Sequence, residues 1–280
     1  MNRRPLILGA KGTLGTQLLK LYPDAVGWDR EDIDVLDFPS LRAQVAGLGS
    51  LPDAIVNCVA FNDVDGAEDH PERAFALNAD FPGALALYAR ELGLPLVHYS
   101  SNYVFDGVRG EYAEADTPAP LSVYGRSKLR GEQLLAEAGG QGYVLRTAVI
   151  FGPKGSSDWS KKSFVDIMLD LSAKRDTIQA VSDEINSVTY APDLAAATRD
   201  VLERMPPPGI YHTTNSGAAS WFDFACEIFR IAGRAVTVLP VRSTHFPRKA
   251  ARPPKAVLLN TKLPMLRPWT AALADFLRPR

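Results

Sequence analysis

The chain has 280 residues, of which 46% are hydrophobic, so it can bury the core of one large α/β domain, alone or with a smaller appended lobe. Its 31 Lys and Arg nearly balance its 32 Asp and Glu, and the net charge of -1 gives no electrostatic argument for nucleic acid or an anionic membrane as a partner. Apolar runs are too short for a membrane span, and the two cysteines have neither metal nor disulfide spacing, so we expect a cytoplasmic protein that acts on small molecules.

The first predicted element is a short apolar strand at residues 6–8, which leads through a glycine-rich turn into a helix. Glycines let the backbone turn tightly and approach a pyrophosphate, which the free N–H groups and the dipole of a helix N-terminus attract. The context of strand, turn and helix therefore predicts a dinucleotide-binding site. Its residues follow the spacing G-x-x-G-x-x-G and are Gly9, Lys11, Gly12, Thr13, Leu14 and Gly15.

A second predicted strand, at residues 25–28, ends in Asp29 and Arg30. An acid at this distance from the glycines can bind ribose hydroxyls, and a base can bind a 2′-phosphate. Because both are present, these residues alone leave the choice between NAD(H) and NADP(H) open. Since Lys11 and Arg30 can approach a 2′-phosphate, we expect both cofactors to work, with a modest preference for NADPH. Residues 33–35 predict a short third strand, in which Asp34 either contacts the adenine amino group or caps a turn, with Val35 beside the same nucleotide.

A fourth predicted strand, at residues 54–60, ends in small residues that let the backbone pass close to the cofactor, and Val59, Ala60 and Phe61 are assigned to that site. The helical pattern that follows, at residues 71–92, is interrupted by Pro82. A buried amide needs partners, so Asn78 within this pattern is predicted to tie backbone segments together. No histidine has metal-ligand spacing to another His or Cys, so no metal site is predicted.

The residues that indicate chemistry lie in the middle of the chain. A buried strand at residues 96–99 runs into Ser100 and Ser101, and a helix is predicted to begin near Ser122. Tyr124 and Lys128 then share a face of that helix, where the ammonium should lower the tyrosine pKa from ~10 toward neutrality. Tyr124 is therefore the candidate proton donor, and Ser101 offers a hydroxyl to the same substrate oxygen.

A sixth predicted strand, at residues 142–146, completes an alternation of strands and helices that is typical of a Rossmann-type, doubly wound parallel sheet. Ligands of such sheets bind beyond the carboxyl ends of the strands. The order breaks after Gly152, which indicates a smaller C-terminal substrate-binding lobe. We assign residues 1–152 and about 186–208 to the dinucleotide-binding domain, and residues 153–185 and 209–280 to the lobe.

Four motifs occur together in the order known from one group of enzymes: the glycine-rich turn, S-S-N-Y-V-F-D-G at residues 100–107, Y-G-R-S-K at residues 124–128 and L-R-T at residues 145–147. With this set the chain resembles the extended short-chain dehydrogenase/reductases and, among them, the dTDP-4-dehydrorhamnose reductases. The likeness extends over nearly the whole chain. It implies reduction of a nucleotide-linked 4-keto sugar with NADP(H), or with NAD(H).

The resemblance also implies roles for individual residues. Ser101, Tyr124 and Lys128 would form the catalytic set, with Lys128 on the cofactor ribose and Ser100 beside the cofactor. The residues assigned to the sugar nucleotide are Val64, Asn102, Tyr103, Val149 and Arg252. Two of these depart from the family pattern, because Asn102 stands where an aspartate is usual and Val149 where a tryptophan is usual.

Two other functions stay open at this stage. One is a sugar-nucleotide epimerase or dehydratase, although Asn102 and Tyr103 occupy the places where dehydratases of this superfamily usually carry an acid pair. The other is a non-catalytic nucleotide-binding subunit, resembling the regulatory subunit of methionine adenosyltransferase. A homodimer is also left open.

Overall fold

Six parallel strands form the central sheet of the computed structural model, which describes residues 3–278. The strands of the molecule are β1 (Leu6–Leu8), β2 (Val26–Trp28), β3 (Ile55–Asn57), β4 (Leu96–Ser101), β5 (Gly110–Tyr112), β6 (Gly142–Thr147), β7 (Ile150–Phe151), β8 (Thr177–Val181), β9 (Ile185–Ser187), β10 (Thr189–Tyr190), β11 (Gly209–His212), β12 (Asn215–Ser216), β13 (Ala218–Ser220), β14 (Thr237–Val241), β15 (Lys255–Leu258) and β16 (Leu266–Pro268). The helices are α1 (Thr13–Leu21), α2 (Phe38–Ala46), α3 (Gly66–Asp69), α4 (Pro71–Phe75), α5 (Phe81–Glu91), α6 (Val123–Ala138), α7 (Phe164–Ser172), α8 (Ala191–Arg204), α9 (Trp221–Ile231) and α10 (Trp269–Leu277).

The central sheet has the strand order β11-β6-β4-β3-β1-β2. Successive side chains of a strand point to opposite faces, so each buried strand contributes to two cores. On one face Ile7, Val56 and Val97 pack with residues of α1 and α8. On the other face Leu8 and Ile55 pack with residues of α2, α5 and α6. Both faces are covered, which confirms the predicted doubly wound parallel sheet.

For the central sheet, one predicted strand is wrong and one strand of the structure was not predicted. Residues 33–35 form turns, because Asp34 accepts a hydrogen bond from the Leu36 N–H (3.0 Å) and its carbonyl accepts one from the Asp37 N–H (3.0 Å). Asp37 then caps α2 through the Ser40 N–H. The sixth strand of the sheet is instead β11, which pairs with β6 at the edge.

A second sheet, of order β13-β9-β15-β5, forms beside the carboxyl ends of the central strands. It joins β5, from the first half of the chain, to β9, β13 and β15 from the second half. β5 lies in the segment assigned to the dinucleotide-binding domain, residues 1–152, but pairs in this second sheet. β11 lies in the segment assigned to the lobe, residues 209–280, but pairs in the central sheet. A separate apolar core, which includes Phe151, Phe224 and Trp269, fills the C-terminal lobe.

The helical stretch before β4 continues through Pro82 without breaking. Residues Ala76–Asp80 form a π-helical turn, in which the Phe81 N–H donates to the carbonyl of Ala76. Proline has no N–H to donate to the residue four positions earlier, and the wider turn places Pro82 in the first turn of α5, where this N–H is not needed. Later, α6 begins as predicted, because Ser122 Oγ accepts a hydrogen bond from the Gly125 N–H (3.1 Å).

Candidate active site

The glycine-rich turn links β1 to α1 and is shaped by close contacts. Gly9 has φ +77°, and a Cβ there would lie 3.1 Å from the Cys58 carbonyl carbon. At Gly15, in the first turn of α1, a Cβ would lie 2.2 Å from the Gly9 oxygen, so α1 packs tightly on the turn. Gly12 provides no side-chain cap, which leaves the N–H groups of Thr13 and its neighbours without a side-chain partner at the helix N-terminus. These features suit a pyrophosphate.

The acid and the base after β2 have different surroundings. Asp29 Oδ2 accepts from the Lys11 N–H and Oδ1 accepts from the Arg30 N–H, both at 2.9 Å, so the carboxylate ties β2 to the glycine-rich turn. The ammonium of Lys11 pairs with Glu31. Within residues 3–278 the Arg30 guanidinium has no ion-pair partner. Of the two cations Lys11 and Arg30, Arg30 is therefore the one that is free of a carboxylate.

The remaining residues assigned to the adenosine side lie around the same edge. Asp34 acts as a turn cap, the second of the two roles considered for it. Val35 and Val59 are partly buried against the core that includes α2 and α5. The Val59 N–H donates to Asn57 Oδ1 (3.0 Å), which fixes the loop after β3 that leads to Ala60.

Asn78 ties three backbone segments together, as predicted. Its Oδ1 accepts from the Phe61 N–H (2.9 Å), and its Nδ2 donates to the Phe61 carbonyl (3.0 Å) and to Ser127 Oγ (3.0 Å). Asn78 is fully buried. It therefore locks the loop after β3 against α6, the helix that carries Tyr124.

At the carboxyl end of β4 two serine hydroxyls have different partners. Ser100 Oγ is buried and has no hydrogen-bond partner among residues 3–278, so a polar ligand at this strand end would satisfy it. Burial raises the pKa of the Tyr124 phenol and the Ser101 hydroxyl opposes that rise, so the two side chains lie close together. Ser101 Oγ also accepts from the Tyr103 N–H (3.2 Å). The structure thus places Ser101 and Tyr124 together, at the point where the resemblance puts the substrate carbonyl.

Tyr124 and Lys128 are both buried, and burial decides their pKa values. Desolvation raises the pKa of Tyr124 to about 12, against the opposing effect of the Ser101 hydroxyl, and lowers the pKa of Lys128 to about 8. The predicted lowering of the tyrosine pKa by the lysine is wrong for this structure. Lys128 Nζ instead donates to the Tyr99 carbonyl (2.6 Å), and desolvation has the largest effect on the Tyr124 phenol.

The residues assigned to the sugar nucleotide divide between the cluster around Tyr124 and the side of the C-terminal lobe. The ring of Tyr103 meets that of Tyr124 edge to face at 5.7 Å, and Val64 packs in the same small cluster. Asn102 is buried, and its Nδ2 donates to Asn186 Oδ1 (2.8 Å) and to the Ala256 carbonyl (3.0 Å). Val149 has φ 37°, an unusual conformation for a β-branched residue, and is half-buried against the lobe core.

Arg252 is held by an acid that the sequence analysis gave no role. Its Nη1 and Nη2 donate to the two carboxylate oxygens of Asp65 at 2.6 and 2.9 Å, and its side chain is 12% exposed. This pairing lowers the pKa of Asp65 to about 2. Burial raises the pKa of the Tyr103 phenol and the charge of Arg252 opposes that rise, so Arg252 lies near a ring that contacts Tyr124.

Other residues of this region were also missed. Glu184 is buried and pairs with Arg248 while accepting from Trp221 Nε1 (3.3 Å), and Lys249 pairs with Asp69 at 2.6 Å. Each base of the segment at residues 248–252 therefore has an acid from another part of the chain. The visible signal in the sequence was the concentration of bases there, but their partners are up to 187 residues away.

The described part of the chain has neither a metal-binding cluster nor a membrane-spanning helix. In residues 3–278 no group of three or more His, Cys, Asp or Glu is arranged to hold a metal ion. Over the same range, no helix combines the length and the apolarity that crossing a membrane requires.

Known proteins are similar to this chain over almost its full length. A family model described as RmlD substrate binding domain matches residues 3–280. The dTDP-4-dehydrorhamnose reductase of Mycolicibacterium smegmatis is 36% identical over 287 residues, which cover 98% of this chain and 85% of that protein. A probable dTDP-4,6-dihydroxy-2-methyloxan-3-one 4-ketoreductase of Streptomyces antibioticus is 37% identical over 287 residues, covering 97% and 94%. The crystal structure of dTDP-4-dehydrorhamnose reductase from Bacillus anthracis in complex with NADP superposes with a TM-score of 0.92, at 33% identity and with 99% of both chains covered.

Proposed function

Because this chain belongs to the family of the RmlD substrate binding domain, we propose that it reduces a nucleotide-linked 4-keto deoxy-sugar with NADPH. The names of its relatives indicate keto-sugar reduction for them, and the similar crystal structure is a complex with NADP. The membership confirms the resemblance drawn from the motifs and the class of enzyme, a nicotinamide-dependent oxidoreductase. The observation that carries the proposal is the proximity of the Ser101 and Tyr124 hydroxyls at the carboxyl end of β4.

The side chains at this strand end suit carbonyl reduction. When bound, the nicotinamide supplies the hydride for the carbonyl carbon. Tyr124 keeps its proton at neutral pH, since its pKa lies at about 12, and donates that proton to the carbonyl oxygen as the charge develops there. Ser101 offers a second hydrogen bond to the same oxygen. Lys128 and Ser100 are the polar groups at the strand end that would hold the nicotinamide ribose.

The free cation at the adenosine end favours NADP(H). Asp29, the acid that would take ribose hydroxyls, already accepts two backbone N–H groups, and Lys11 is paired with Glu31. Arg30 retains its donors for a 2′-phosphate. We infer a preference for NADPH, with NADH accepted because the carboxylate of Asp29 keeps further acceptor capacity.

The substrate contacts lie between Tyr124 and the C-terminal lobe. Arg252 lies near Tyr103 on that side, and its guanidinium can donate to a diphosphate as well as to Asp65, because it has five N–H groups. Asn102 and Val149 change the sugar pocket relative to the family pattern. Relatives of similar identity are named for two different keto sugars, so the sugar is the property that the assay must identify.

The test is an assay of purified protein with a panel of nucleotide-linked 4-keto sugars, each with NADPH and with NADH, read by the loss of reduced-nicotinamide absorbance. We expect at least one dTDP-linked keto sugar to consume NADPH. Isomerised sugar without net cofactor oxidation would identify an epimerase instead. Binding of nucleotides without any turnover would favour the non-catalytic subunit.

Arg252→Ala should weaken the binding of dTDP by about 10- to 100-fold, the range expected for a lost hydrogen bond between charged groups. Calorimetry with dTDP and with UDP, in the presence of NADPH, measures the change. Arg130→Ala is the matched control, because it removes the same charge from the exposed face of α6, where Arg130 pairs with Glu137. Equal affinity of wild type and Arg252→Ala would remove Arg252 from the nucleotide site.

Two further expectations stay predictions. The homodimer is tested by sedimentation velocity of the purified protein, and the cytoplasmic location by fractionation of cells that express the full chain.

A further inference from the structure

The loop at residues 153–160, which the sequence analysis assigned to the C-terminal lobe, crosses over the glycine-rich turn. The Ser157 N–H donates to the Lys11 carbonyl (3.1 Å), and Ser157 is buried. A Cβ on Gly155 would lie 2.3 Å from the Lys11 oxygen and 2.6 Å from the Gly12 carbonyl carbon. The loop therefore rests on the backbone of the turn that the dinucleotide approaches, with no room for a side chain at residue 155.

Hydrogen bonds within the loop fix the backbone at Trp159. Ser157 Oγ accepts from the Trp159 N–H (3.2 Å), Ser160 Oγ accepts from the Gly155 N–H (3.1 Å), and the Ser160 N–H donates to the Ser157 carbonyl (3.0 Å). Trp159 is nevertheless 67% exposed, so packing in the core does not account for the position of its ring. Its contact is with Arg30, whose guanidinium carbon lies 5.0 Å from the ring centroid.

The stacking suits Arg30 for binding an anion. A guanidinium that lies over an aromatic ring is held by its face, while its N–H groups point outward in the plane and stay available as donors. Within residues 3–278 Arg30 has no carboxylate partner, whereas the neighbouring Lys11 has one in Glu31. The indole thus holds Arg30 in place without neutralising it.

We propose that Trp159 is a positioning residue that holds Arg30 for the 2′-phosphate of NADP(H), so that the 153–160 loop contributes to the preference between the two nicotinamide cofactors. This inference rests on the proposed cofactor. It assigns to the C-terminal half of the chain a part in a site that otherwise consists of β1, β2 and α1. Truncation of the exposed ring leaves the core intact, so the variants should fold.

The test is calorimetry of the full chain with two probes, adenosine 2′,5′-bisphosphate and 5′-AMP, which differ only in the 2′-phosphate. Trp159→Ala should raise the Kd for the bisphosphate by about two- to five-fold, the effect of an exposed cation–π contact, and leave that for 5′-AMP unchanged. Trp159→Phe, which keeps an aromatic face, should retain most of the affinity. In an Arg30→Ala background, Trp159→Ala should have no further effect.

Equal weakening for both probes would overturn the proposal, because the ring would then act on the adenosine or on the loop itself. An undiminished effect of Trp159→Ala in the Arg30→Ala background would overturn it as well. No keto sugar is present in these titrations. A chain that shows the expected pattern but reduces no keto sugar would contradict the proposed function and leave this inference standing.

Discussion

Tyr124 is a buried phenol beside the Ser101 hydroxyl, and burial raises its pKa to about 12. Tyr124→Phe removes the transferable proton and little else, so kcat should fall by at least ~10²- to 10⁴-fold, the usual contribution of a general acid. Cofactor affinity should stay nearly unchanged. Steady-state kinetics with a reducible keto sugar and a cofactor titration measure the two effects.

The control for this variant is Tyr22→Phe. It deletes a buried hydroxyl that has no hydrogen-bond partner among residues 3–278, on helix α1's C-terminal side. Turnover close to wild type in Tyr124→Phe would show that another group supplies the proton.

Lys128 is a buried cation whose pKa falls from 10.5 to about 8 because of desolvation. Between these values the unfolded chain binds more protons than the folded one, so this group makes the free energy of unfolding rise with pH from 8 to 10.5. Below pH 8 the buried ammonium destabilises the fold by roughly 3 kcal/mol. Lys128→Met should therefore stabilise the protein at pH 7 by about 2 kcal/mol, after allowing for the lost hydrogen bond to Tyr99.

Urea unfolding at pH 7 and at pH 10 measures this effect. The gain should be larger at pH 7 and shrink toward pH 10, while Lys20→Met, at an exposed position on α1, should show no such pH dependence. A gain that is the same at both pH values would mean that packing, and not the buried charge, accounts for it.

The residues proposed for the site were predicted from local patterns in the sequence, but their electrostatic state was not. The spacing of Tyr124 and Lys128 on a helix is a local property, and the serines follow directly from a buried strand. Burial of the ammonium and its bond to Tyr99 depend on how α6 packs on β4. Asp65, the partner of Arg252, became visible only when segments 187 residues apart were brought together.

At the scale of elements, the N-terminus of α6 is positioned by a close backbone contact. A Cβ on Gly125 would lie 2.2 Å from the Tyr103 carbonyl oxygen. Gly125→Ala should therefore push α6 away from the segment after β4, with a loss of about 1–3 kcal/mol in the free energy of unfolding and a lower kcat, since Tyr124 moves with the helix.

Urea unfolding and steady-state kinetics test Gly125→Ala together. Gly49→Ala is the matched control, because a Cβ there meets nothing within 4 Å, and it should be nearly neutral in both measurements. Wild-type stability of Gly125→Ala would show that α6 can shift without loss.

The elements themselves follow from sequence where the signal is local. The cap at Ser122 and the apolar run of β4 mark their elements directly. Residues 33–35 have the composition of a strand, yet the Asp34 carboxylate accepts from the Leu36 N–H and stabilises a turn instead. The Asp37 carboxylate accepts from the Ser40 N–H and caps α2. The edge strand β11 follows a run of three prolines, and only its pairing with β6 defines it.

At the scale of the whole molecule, the segments that form one sheet are far apart in sequence. β5 pairs with β15, and β9 pairs with both β13 and β15, so the second sheet joins four separate parts of the chain. The predicted division assigned residues 1–152 and about 186–208 to the dinucleotide-binding domain, and residues 153–185 and 209–280 to the lobe. In the structure β5 pairs with β15 and β11 pairs with β6, and no local pattern in the sequence contains these long-range pairings.

The contacts of Asn102 set an order of events for a chain that is still being synthesised. This residue, next to Ser101, donates to Asn186, 84 residues later, and to Ala256, 154 residues later. At roughly 5–20 residues per second, Ala256 is made about 8–30 s after Asn102. Strands β1 to β4 with their helices are complete well before that moment. We therefore expect a nascent chain to acquire its dinucleotide turn first and the fixed position of Ser101 last, when the final quarter of the polypeptide docks.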